Sequence, residues 1–76
     1  MELTDSQRIL LALFNEAKIR RQEAAALLTL LNEQEIDDIL KQTDYIVDSK
    51  NRLPTEQELM NIIFPILKAK PSEDEI

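Results

Sequence analysis

The chain has no cysteine, no histidine, no glycine and no tryptophan. Without cysteine no disulfide can staple a small fold, and without cysteine or histidine there is no ordinary zinc site. The same two absences remove the usual general base and the strongest side-chain nucleophile, so composition gives no support to catalysis. Without glycine a glycine-rich phosphate loop cannot form. Backbone positions that need positive φ are therefore expected to fall to Asn or Asp, which tolerate that region best. Asn15, Asn32 and Asn51 stand where a helix or turn could end. Apolar runs are short, well below the roughly 20 residues of a membrane span. The opening "MELTDSQR" is acidic and polar, unlike a signal peptide. The expectation is an intracellular, cytoplasmic chain without membrane contact, metal or cofactor.

Seventy-six residues make one small domain at most. With 43% hydrophobic residues the chain is too apolar for wholesale disorder. The net charge of −6 opposes, on average, contact with phosphate backbones or anionic lipid. Carboxylate neighbours occur at Asp37–Asp38 and Glu56–Glu58, but adjacent helical residues diverge in direction, and both sets read as solvated or helix-start charges. "DSKNRLPTEQE" lacks the glycine and the alternating oxygen ligands of a calcium loop, and Pro54 intrudes.

The pattern predicts an all-α domain of four helices over residues 1–70, followed by an acidic flexible tail at 71–76. Thr4 and Gln7 have capping-box spacing and open a first helix to about Lys18. Ile9, Leu10, Leu13 and Ala17 share its inner face, widened by Phe14. Ala-Ala-Ala-Leu-Leu favours a second helix over about 21–31 with Ala24, Leu27, Leu28 and Leu31 inward. Asn32 and Glu35 repeat the capping box and open a third helix to about Gln42, with Ile36, Ile39 and Leu40 inward. Tyr45-Ile46-Val47 has strand propensity and Asp48-Ser49-Lys50-Asn51 is a turn cluster, so a short β-hairpin near 45–53 is allowed. Thr55 and Glu58 cap a last helix. Its core face is Leu59, Ile62, Ile63 and Ile66, and Pro65 is expected to kink or end it.

Between Gln22 and Leu40 the pattern resembles the helix-turn-helix family. "QEAAALL" is similar to a first motif helix, with Ala26 at the small position where the two helices approach. Ile36, Ile39 and Leu40 match apolar positions of the second. "QRILLALFNEAKI" sits where winged-helix domains place their opening helix, and "DYIVDSKNRLPTEQEL" looks like a stunted wing followed by a helix. The resemblance implies DNA binding, with Arg20 and Arg21 before the second helix and Lys50 and Arg52 on the wing gripping phosphate. Two departures stand against it. Leu30 lies near the turn where the family has glycine. Asp37 and Asp38, with Glu33 and Glu35 at the entry, bring like charge to the would-be reading helix.

Hydrophobic surplus is the other signal. Met60, Phe64 and Leu67, at i, i+4 and i+7, form a second strip beside the core face of the last helix, wider than a surface helix needs. Leu11 and Leu30 are also left outside the core. Either the last helix is sandwiched centrally or the strip is a partner face, for which Met and Phe are suited. The expected function is a small protein-interaction or regulatory adaptor that self-associates, most simply as a homodimer. Met60, Phe64, Leu67 and Leu30 are its apolar contacts, and Asp37 and Asp38 its acidic ones. The alternative is a winged-helix-like DNA-binding regulator using Arg20, Arg21, Lys50 and Arg52. A third reading is an acidic mimic of nucleic acid.

Overall fold

A computed structural model describes residues 2–69; the acidic tail expected at 71–76, and Lys70 before it, lie outside them. Four helices follow in order: α1 Asp5–Glu16, α2 Arg21–Leu30, α3 Glu33–Lys50 and α4 Glu56–Ala69. There is no strand among the described residues.

Three of the four helices open on a reciprocal capping box. The Thr4 hydroxyl accepts from the Gln7 N–H at 3.2 Å, and the Gln7 side chain accepts from the Thr4 N–H at 2.8 Å. Asn32 and Glu35 make the same exchange at 2.9 Å in both directions. Thr55 and Glu58 make it at 3.2 and 2.9 Å. Each box satisfies two backbone donors that a helix start leaves unpaired. The exception is α2, whose cap position, Arg20, contributes no side-chain bond. Its Ala-rich sequence is a strong helix former in itself.

The end of α1 is a Schellman motif without glycine. The Lys18 N–H bonds to the Asn15 carbonyl and the Ile19 N–H to the Phe14 carbonyl, both at 3.0 Å. Lys18 takes the left-handed conformation, φ 63°. The apolar contact that usually accompanies the motif falls to Ile19 and Phe14, both in the core cluster. Asn51 closes α3 in the same left-handed region, φ 55°, as an asparagine was expected to. Asn15 lies inside α1 and Asn32 is an extended N-cap.

The hairpin expected near 45–53 does not form: α3 continues through Tyr45-Ile46-Val47 to Lys50. The inward stripe does not stop at Leu40. Thr43 takes the next core position with 1% of its surface exposed, its hydroxyl donating to the Leu40 carbonyl at 2.8 Å. Ile46 and Val47 extend the stripe as half-buried residues. Packing on that face outweighs the modest strand preference of three β-formers. Nor does Pro65 end α4, which runs on to Ala69. The Asn61 carbonyl loses its helical partner, but Asn61 is exposed and water can serve it.

Both α2 and α3 pack on α1, and α4 packs mainly on α3. The core is Leu10, Phe14, Ile19, Ala24, Leu28, Leu31, Ile36, Ile39, Leu59 and Ile63. It contains the expected inner faces of α2, α3 and α4, with Leu27, Leu40, Ile62 and Ile66 packed half-buried at its edge. On α1 the inward direction is set by Leu10 and Phe14, one turn apart. Ile9, about 100° round the helix from Leu10, is 54% exposed rather than on the core face.

Candidate interaction surfaces

Lys50 and Arg52 flank the α3–α4 connection, and both turn to Glu58. Lys50 Nζ lies 2.9 Å from Glu58 Oε2, while Arg52 donates Nη1 to Oε1 at 2.7 Å and Nη2 to Oε2 at 3.2 Å. Arg52 Nη1 also reaches the Leu53 carbonyl. Because Glu58 caps Thr55 at the same time, one carboxylate with 16% of its side chain exposed gathers the end of α3, the loop and the start of α4. The hydrogen bonds from Arg52, then Lys50, then the Thr55 backbone hold its carboxyl far below the usual carboxylate range. The Arg52 guanidinium is raised in turn, chiefly by its bond to Glu58. The two cations assigned to a wing are thus engaged within the fold.

Arg20 and Arg21 are exposed at the start of α2, and neither forms an ion pair among the described residues. Asp37 accepts from the Ser6 hydroxyl at 2.9 Å, fastening α3 to the start of α1. Asp38 accepts from Gln34 along α3 at 3.4 Å. Both stay exposed. Further along α3, Asp44 and Asp48 are exposed too, as is Lys41 between Asp38 and Asp44.

The strip on α4 is uneven. Phe64 is 52% exposed, whereas Met60 and Leu67 are half-buried against the core. Leu30, the remaining apolar candidate, is exposed at the end of α2. Since α2 packs on α1 and α4 on α3, no principal packing joins Leu30 to the strip. Tyr45, Leu53 and Ile9 are further exposed apolar residues; the sequence pattern places Ile9 on the inner face of the first helix and Tyr45 in a hairpin strand. Tyr45 borders a shallow depression of about 300 Å³ with Lys41, Ile46 and Ile62, where α3 meets α4.

The larger concavity lies on the other side of α1. A groove of about 760 Å³ runs between α1 and α2. Leu3, Gln7, Leu11 and Asn15 line one wall, and Arg21, Ala25 and Thr29 the other. Leu28, Ala24 and Ile19 contribute apolar surface between them. Leu11 was legible as apolar surplus, and Leu28 as the inward residue it is, 7% exposed at the floor of the groove. The four-residue spacing of each wall was the signal available in the sequence.

The described residues contain no group of three or more His, Cys, Asp or Glu that could hold a metal ion, and no helix long and apolar enough to cross a membrane. No protein-family model, no curated protein and no solved structure matches the chain.

Proposed function

We propose that the chain is a small protein-interaction domain that self-associates through α4. The observation behind this reading is the position of that helix. Its apolar residues from Leu59 to Leu67 span more than the core face of a surface helix, yet α4 packs mainly on α3 alone. A helix sandwiched at the centre of the domain would bury the second strip on a neighbour. Here Phe64 remains 52% exposed between half-buried Met60 and Leu67. A half-exposed aromatic flanked by Met and Leu is the composition of an interface centre.

The engagement of Lys50 and Arg52 by Glu58 weighs against the DNA-binding alternative. It leaves Arg20 and Arg21 as the cations of that reading still free of ion pairs among the described residues, in a chain whose third helix is acidic. Sedimentation velocity over a wide concentration range tests the proposal. The protein is expected to shift from monomer to dimer, and Phe64→Glu to stay monomeric with unchanged helicity. A wild-type chain that is monomeric throughout overturns self-association.

A further inference from the structure

We propose that the groove between α1 and α2 docks a single amphipathic helix of a partner protein, about three turns long, whose apolar stripe is flanked by Asp or Glu. Its walls are two helical ridges. Leu3, Gln7, Leu11 and Asn15 recur every four residues along and just before α1, and Arg21, Ala25 and Thr29 do so along α2. Ridges at four-residue spacing are the surfaces on which another helix nests in the commonest mode of helix packing. Small exposed residues at Ala12 and Ala25 let an incoming backbone approach closely, while the half-buried Leu3 and Leu11 offer contacts to its side chains. With 12 and 10 residues, α1 and α2 are about 18 and 15 Å long, which sets the length of the occupant.

Charge identifies the occupant's flanks. The lining includes Arg8 and Arg21 and no acid. Neither arginine forms an ion pair among the described residues. Lys18 and Arg20 follow in the α1–α2 turn, outside the lining, so the groove's cationic character rests on the two arginines. Asp5, Glu16 and Glu23 belong to the same two helices but lie outside the lining. An apolar trough with cationic lips, in a protein of net charge −6, complements a helix with acidic borders. Nucleic acid fits less well, because its phosphates would find two arginines above a floor of Leu and Ala.

The test uses the full chain carrying Phe64→Glu, so that self-association through α4 does not interfere. Fluorescein-labelled synthetic helices of about 15 residues, with Leu at i, i+4 and i+7 and Glu on both flanks, are titrated by anisotropy. Amide chemical shifts of the labelled protein locate the contact. Saturable binding with shifts at Leu11, Ala25 and Leu28 is expected. Arg8→Glu with Arg21→Glu should weaken it about tenfold or more at low salt, and less at high salt where the charges are screened. A peptide with Lys in place of Glu should recover affinity for that reversed variant. Ala25→Trp, a change at an exposed position, should block binding without loss of helicity.

Absence of saturable binding across the panel overturns the proposal. Equal binding of a scrambled peptide, or shifts confined to α4, does the same. Displacement of the peptide by duplex DNA at equal potency would reassign the groove to phosphate. Groove shifts on raising the concentration of the Phe64→Glu protein alone would reassign it to a second copy. None of these outcomes bears on whether the wild-type chain dimerises through α4, so the two proposals fail separately.

Discussion

Lys18 is the residue at which local conformation and residue type disagree most. It holds φ 63° at the end of α1, where a chain with any glycine would be expected to place it. A side chain with a β-carbon in the left-handed region costs about 1–2 kcal/mol. The motif around it offsets that cost with two backbone bonds and the burial of Ile19. Lys18→Gly removes the clash but gives the unfolded chain about 0.4–1 kcal/mol more entropy to lose. The net expectation is a gain of about 0.5–1 kcal/mol, read as a higher urea midpoint with an unchanged slope. A midpoint that stays put or falls would show that the lysine side chain itself stabilises the turn. Asn51 needs no such remedy, since asparagine visits the left-handed region at little cost.

At the scale of elements, the starts of helices were the most legible feature. Thr4 with Gln7, Asn32 with Glu35 and Thr55 with Glu58 all form the exchanges their spacing announces, because a capping box depends only on residues three apart. Ends were harder. The true end of α3 depends on Thr43 being buried, and a polar residue after Leu40 reads as the edge of a stripe until its hydroxyl is seen bonded within its own helix. The groove was only half legible for a related reason. Leu11 is visibly surplus, but its opposite wall depends on the angle at which α2 lies on α1.

Glu58 was legible as a cap and not as an anchor for Lys50 and Arg52, which approach it from eight and six residues away. Its pKa is depressed in the folded state, so the folded protein holds a proton there less readily than the unfolded chain. The stabilisation is present above the unfolded carboxylate value of about 4.3 and is lost as pH falls from there towards the lower folded value. Other carboxylates titrate in the same range, and their protonation relieves the repulsion of a chain with 15 acids and nine bases. The informative quantity is therefore a difference. The melting temperature of the wild type should exceed that of Glu58→Gln at neutral pH, and the gap should close on acidification below about pH 4. A gap that is constant from pH 7 to about pH 2 would show that the substitution does not act through the charge of the carboxylate.

For the whole molecule the constraint is size. At roughly 0.05–0.15 kcal/mol per residue, a domain of this length is worth about 4–11 kcal/mol, with no disulfide or structural zinc to add to it. A dimer that covers Phe64 and Met60 adds stability by mass action, because only the folded chain can form it. Each tenfold rise in protein concentration then contributes about 0.7 kcal/mol per chain once the dimer is populated, which in a domain this small moves the melting temperature by about 3–5 °C. The wild-type transition should climb with concentration by that amount. Phe64→Glu should not climb, and at the lowest concentration the two curves should nearly coincide, since a side chain already half in water loses little core contact on replacement. A variant that melts early at every concentration would place Phe64 among the residues that hold the monomer together, and the case for α4 as an interface would then rest on Met60 and Leu67 alone.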